Sequence, residues 1–106
     1  MKFETLPLFD KQFKKLTKKY KHIKNDIQIL VDNFDNIHQQ ATSIKNNIYK
    51  IRLSNSDKNR GKSAGYRVYY YLKINDTVYL TTIYDKSEIQ MIDESVIFNT
   101  IKEIKS

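Results

Sequence analysis

Asn47-Ile48-Tyr49-Lys50-Ile51-Arg52-Leu53, a loop from Ser54 to Gly65, Tyr66-Arg67-Val68-Tyr69-Tyr70-Tyr71-Leu72-Lys73-Ile74, and Val78 to Glu88 form the stretch whose reading decides the fold. Side chains alternate between the two faces of a strand, so parity divides each segment. In the first, Tyr49, Ile51 and Leu53 share one face, and Ile48, Lys50 and Arg52 the other. In the second, Tyr66, Val68, Tyr70, Leu72 and Ile74 point inward, leaving Arg67, Tyr69, Tyr71 and Lys73 outward. Asn75-Asp76 supplies a hairpin turn, which pairs this strand antiparallel with Val78 to Tyr84. The last strand is apolar on both faces, as an interior position requires.

Working towards the N-terminus, Phe9, Phe13, Leu16 and Tyr20 recur at helical steps after Pro7, with Asp10 in the first turn. Ile23, Ile27, Leu30 and Phe34 define a second helix over about His22 to Phe34. Together they predict a helical hairpin laid on the sheet, with a weak strand at Lys2 to Thr5 joining the sheet. Towards the C-terminus, Asp93-Glu94-Ser95 caps a helix whose Ile97, Ile101 and Ile104 cover an apolar patch. The fold class expected is α+β, a single domain over residues 1–106. His22 is expected near the break between the helices, and His38 in a polar stretch from Asp35 to Asn46. Neither is a choice for chemistry.

The charge is unevenly placed. The chain carries 19 Lys and Arg against 12 Asp and Glu, for a formal net charge of +7. Residues 11–24 hold seven lysines and no acid, and residues 45–73 hold eight basic residues and one acid. Such a balance favours acidic partners, nucleic acid first. The lysines of the first zone form the wet face of a helix, or else a dock for RNA or a larger assembly. No apolar run reaches the roughly 18 residues of a membrane span, and the N-terminus lacks the apolar region of a signal peptide. With no cysteine, disulfides and thiolate chemistry are excluded, and a cytoplasmic protein is expected. Two histidines far apart do not suggest a metal site.

Parity places Lys50, Arg52, Arg67, Tyr69 and Tyr71 on the sheet face away from the first two helices. Cations on adjoining strands repel one another, a cost relieved by a bound anion. Tyrosines beside them offer surfaces on which bases stack, worth about 1 to 3 kcal/mol per base, which suits single-stranded RNA.

Tyr49-Lys50-Ile51-Arg52-Leu53, a variable basic loop, Gly65-Tyr66-Arg67-Val68-Tyr69-Tyr70 and Leu80-Thr81-Thr82-Ile83-Tyr84-Asp85-Lys86-Ser87-Glu88 resemble the RelE/HigB branch of bacterial toxin–antitoxin toxins. The words lie between residues 49 and 88; the architecture they imply, an N-terminal strand and helical hairpin on an antiparallel sheet with a short C-terminal helix, spans nearly the whole chain. The resemblance implies a metal-independent mRNA endoribonuclease without cofactor. It acts on mRNA in the ribosomal A site and is held silent by a cognate antitoxin, which either covers the cationic face or displaces the final helix. By the same resemblance Arg67 grips the scissile phosphate, Lys50 and Arg52 hold it from the preceding strand, and Lys86 is the candidate general acid. A lysine crowded by like charges has its pKa pushed down, which would let Lys50 take a proton. Tyr69, Tyr71, Lys73 and the loop cations Lys58, Arg60 and Lys62 are expected to bind RNA, and Glu88 to cap or pair. Where several family members carry a tyrosine or histidine after the last basic residue, this chain reads Ile89-Gln90-Met91-Ile92-Asp93, so the proton acceptor is unassigned. Two other readings stand beside this one: a ParE-like gyrase inhibitor that binds protein and cuts nothing, and a non-catalytic RNA- or ribosome-binding domain.

Overall fold

A computed structural model describes residues 1–58, 65–73, 76–88 and 92–105. Expected elements within Ile74-Asn75, the loop cations Arg60 and Lys62, and residues 89–91 lie outside that set. The chain runs β1 (Lys2–Thr5), α1 (Pro7–Thr17), α2 (Ile23–Asp32), α3 (Phe34–His38), β2 (Thr42–Lys45), β3 (Ile48–Leu53), β4 (Tyr66–Lys73), β5 (Thr77–Asp85) and α4 (Glu94–Lys105). The class is α+β, with four helices and one five-stranded sheet among the described residues, the strands in the order β1-β5-β4-β3-β2. The sheet is mixed rather than antiparallel throughout: β1 lies parallel to β5, and the other three pairings are antiparallel. A parallel neighbour needs a crossover, and α1 to β4 provide it. No helix among the described residues is long and apolar enough to cross a membrane.

β4 is the centre of the sheet and is covered on both sides. Its inward set, Tyr66, Val68 and Tyr70, joins Ile51 and Leu53 of β3 beneath Phe9, Leu16, Ile23, Leu30 and Phe34 of the first three helices. Its outward set, Tyr69 and Tyr71, packs with Ile48, Tyr84, Ile97 and Ile101 under α4. The face expected to be open is thus largely roofed by the C-terminal helix.

Four local features account for the other departures. The second helix is broken, because Asn33 leaves helical geometry and α3 restarts as a short separate turn. That turn carries His38 into the core edge, where it stacks on Phe34, packs edge-on to Tyr49 and hydrogen-bonds the Tyr70 hydroxyl. β2 is an additional strand. It folds back onto β3 through Asn46 and Asn47, both at positive φ (45° and 67°), the backbone of a two-residue type I′ hairpin that asparagine tolerates best. In β5 a bulge skips Thr81 between the pairs Tyr69–Thr82 and Tyr70–Leu80, and the Thr81 hydroxyl donates to the Tyr69 carbonyl at 2.9 Å. The bulge resets parity, so Val78 and Leu80 before it and Ile83 after it all enter the same core.

Beyond Leu80 the edge of β5 has no strand partner among the described residues, and Gln12 of α1 covers it. Its side-chain oxygen accepts from the Ile83 N–H at 3.0 Å and from the Thr82 hydroxyl at 2.6 Å, satisfying a donor that would otherwise be an exposed edge. At the far end of the β3–β4 hairpin, a Cβ on Gly65 would lie 2.2 Å from the Leu53 carbonyl oxygen. Only glycine permits that backbone approach.

Two substitutions test this packing. Leu30→Ala, at a fully buried side chain, is expected to cost about 2 to 5 kcal/mol in urea unfolding. Gly65→Ala is expected to destabilise by about 1 to 3 kcal/mol, because backbone rather than a flexible side chain must give way. Unchanged midpoints would remove the basis for the described core and hairpin.

Candidate functional site

β3 and β4 pair in a register that sets Arg52 directly opposite Arg67, and Lys50 opposite Tyr69. Like charges opposite each other destabilise a strand pair. Arg67 is buried, 6 % exposed, while Arg52 is exposed. Burial, then the neighbouring Arg52 charge, pulls the Arg67 pKa below its ordinary value, though an arginine remains a cation throughout the physiological range. One Arg67 guanidinium nitrogen donates to the Tyr66 carbonyl at 3.3 Å, which orients the head group along the strand. Lys50 lies with its ammonium 5.8 Å from the Tyr69 ring centre, over the ring.

β2 pairs only as far as Lys50, so the outer edge of β3 from Ile51 onwards is open to a groove. That groove encloses about 750 Å³ and is lined by Lys50, Arg52, Arg67 and Lys86 together with polar and apolar residues of α2 and α3, among them Asp26, Asn33, Asn36 and Ile37. Lys86 reaches it from the turn after β5, held by its N–H donating to the Gly65 carbonyl at 3.1 Å. The four cations singled out in sequence as catalytic therefore line one groove. Among the described residues Asp26 is the one carboxylate in the lining, and its Oδ2 accepts the Ser56 N–H at 3.1 Å.

The expected RNA-binding set fares differently. Tyr69 and Tyr71 do lie on the predicted face, but at 1 % and 8 % exposure they are core residues under α4 rather than stacking platforms. Burial drives the Tyr69 pKa upward, so its hydroxyl stays neutral. The reason is the apolar stripe of α4: Ile97 and Ile101 are buried, and the helix that was to cover an unspecified patch covers these tyrosines. Lys73, paired with Thr77 at the far end of β4, is about 20 Å along the strand from Arg67 at the usual rise per residue and does not line the groove.

Lys58 is also reassigned. Its ammonium donates to Asp85 Oδ1 at 2.8 Å and to the Ser87 hydroxyl at 2.7 Å, and lies over the Tyr20 ring. Asp85 is buried, accepts from the Tyr20 hydroxyl through its other oxygen, and takes the Ser87 N–H at 3.0 Å. A buried carboxylate with these partners keeps its charge. Against the opposing effect of burial, hydrogen bonds from Lys58, Tyr20 and Ser87 hold the Asp85 pKa down at about 2. The cluster ties the start of the basic loop to the end of β5 and shapes the turn that presents Lys86. Sequence reading missed it because its members are 20, 58, 85 and 87, brought together only by the sheet.

Glu88 and His22 each find a partner distant in sequence. Glu88 pairs with Lys19. His22 stands at the N-terminus of α2 but makes no side-chain cap there; its N–H donates to Asp57 Oδ2 at 3.0 Å, and its Nδ1 sits 2.7 Å from Oδ1.

No protein-family model matches the chain, and no curated protein matches it.

The Asp85 cluster predicts an acid-limb dependence of stability. Its folded pKa of about 2 lies below the ordinary 3.8, so its contribution is complete above about pH 4 and is lost as pH falls towards the folded value. The size is about 2 kcal/mol. Urea unfolding of wild type and Asp85→Asn over that range should show a slope in the former that is reduced in the latter; parallel curves would show that Asp85 titrates alike in both states.

Proposed function

We propose that this chain is a toxin of the RelE/HigB type, a ribosome-dependent endoribonuclease that cuts mRNA without a metal or cofactor and is restrained by a cognate antitoxin. The observation that carries the reading is the convergence of Lys50, Arg52, Arg67 and Lys86 on one groove, with two arginines opposed across a strand pair. An arrangement of that kind is costly without an anion and favourable with one. The resemblance of residues 49–88 supplies the reaction class.

In this reading the 2′-oxygen of the RNA attacks the adjacent phosphorus as its proton passes to water, and the Lys50 ammonium helps to hold the phosphate. Arg67 and Arg52 hold the non-bridging oxygens and offset their growing negative charge. The bond to the 5′-oxygen breaks, and Lys86 gives that oxygen a proton, leaving a cyclic phosphate and a free 5′-hydroxyl. A buried guanidinium already hydrogen-bonded to the Tyr66 carbonyl needs little reorganisation to do this.

A second reading, a non-catalytic RNA-binding domain, is favoured by one observation. Among the described residues the groove lining contains no histidine or tyrosine, and its one carboxylate already accepts a backbone N–H.

Inducing the chain in cells and mapping mRNA 5′ ends on translating ribosomes separates the possibilities. Codon-phased ends are expected with wild type. They should fall by about 100-fold or more with Arg52→Ala and Arg67→Ala, the scale of losing one charge-stabilising donor. Because Arg67 is buried, the melting temperature of each variant is read alongside, and the exposed Arg52 provides the variant least tied to folding. Intact mRNA with arrested gyrase would support the ParE-like reading; binding to ribosomes without new 5′ ends would support the non-catalytic one.

A further inference from the structure

The groove uses few of the chain's cations, and the largest remaining concentration is on α1 and the segment after it. Lys11, Lys14, Lys15, Lys18, Lys19, Lys21 and Lys24 are all exposed, and no acid lies among residues 11–24. Lys11, Lys14, Lys15 and Lys18 follow the i, i+3, i+4, i+7 spacing of one helix face. The buried residues Phe9 and Leu16 occupy the opposite one. The four therefore form a straight ridge pointing away from the sheet.

A helix exterior that serves solubility alone mixes signs, because Glu–Lys pairs at these spacings stabilise and like pairs destabilise. This ridge has the like pairs Lys11–Lys15 and Lys14–Lys18; Asp10, four residues before Lys14, is the single carboxylate on α1, and among the described residues none of the four lysines makes an ion pair. Of the seven lysines, Lys19 has its acid in Glu88. The ridge also lacks the apolar centre of a protein or membrane contact. Among the described residues the exposed large hydrophobic side chains are Met1, Ile29 and Val96, none of them on α1. What remains is a purely electrostatic partner of high, regularly spaced charge.

We propose that the Lys11–Lys14–Lys15–Lys18 ridge docks the phosphate backbone of double-helical RNA, as a surface separate from the groove that takes a single strand. From Lys11 to Lys18 a helix advances about 10 Å, over which a nucleic-acid duplex presents about six phosphate charges. Contact of this kind is independent of base sequence. It does not depend on cleavage in the groove.

The test uses the full chain and two probes: an RNA duplex of about 16 base pairs and a single strand of about 12 nucleotides. Wild type is compared with a Lys11→Gln, Lys14→Gln, Lys15→Gln, Lys18→Gln variant, which keeps residues that favour a helix, and with Arg52→Gln. The quadruple variant is expected to lose duplex affinity about 10- to 100-fold and to lower the slope of log affinity against log salt by about 3 to 4. Its single-strand affinity should stay within about twofold, whereas Arg52→Gln should show the reverse pattern. An unchanged duplex affinity and slope overturns the proposal, as does an equal loss on both probes, which would make ridge and groove one surface. Preferential capture of an acidic polypeptide such as polyglutamate over the duplex also overturns it. If Arg52→Gln leaves single-strand binding intact while the ridge variant loses the duplex, the groove reading fails and the ridge stands.

Discussion

The pairing of β3 with β4 is the interaction on which the rest of the molecule depends. It fixes which residues face α1 to α3 and which face α4, and it forces Arg52 and Arg67 opposite each other. Tyr66 to Tyr71 are all buried, so slipping the register by one residue would exchange two packed cores and bury a different set of charges. The repulsion within the arginine pair is tolerated because burial of the strand on both faces leaves the register no inexpensive alternative. Local strain held in place by a surrounding core is what a charge-stabilising site requires.

The same two-sided burial divides the tyrosines from the cations. Tyr69 and Tyr71 share β4 with Arg67 and lie beside β3, which carries Lys50 and Arg52, yet α4 covers the tyrosines, while the cations border the groove that opens where β2 ends. The cationic surface is thus a rim. It is bounded by the open edge of β3, by α2 and α3, and by the turn that carries Lys86. That turn is shaped by the Asp85 cluster, where a buried carboxylate retains its charge because Lys58, Tyr20 and Ser87 supply hydrogen bonds. Lys58, counted at first among the RNA-facing cations, is spent on this task.

Alternation over Ile48 to Leu53 and Tyr66 to Lys73 was enough to assign both faces correctly, because parity is a local property of an extended chain. The helical stripes of α1 and α4 were legible for the same reason. Exposure was not, since it depends on where a distant helix docks: nothing in Tyr69 or Tyr71 announces Ile97 and Ile101. The bulge at Thr81, the Gln12 cover over the edge of β5 and the Asp85 cluster all join residues far apart in sequence. The β2 hairpin could have been read, because Asn46-Asn47 is a type I′ turn signal, but a four-residue strand within a polar stretch gives little periodicity. The groove cations were found by their motif words, while the groove itself required the early end of β2.

If the opposed arginines form an anion site for RNA, ligand-dependent stability reads it most directly. The melting temperature of wild type and of Arg52→Gln should be recorded against increasing concentrations of a short single-stranded oligonucleotide whose 2′-hydroxyls are replaced by hydrogen, so that it binds without being cut. The account predicts a concentration-dependent rise for wild type, diminished by added salt, together with a higher ligand-free melting temperature and little oligonucleotide response in Arg52→Gln. Equal responses in the two proteins, or none in wild type, would contradict it.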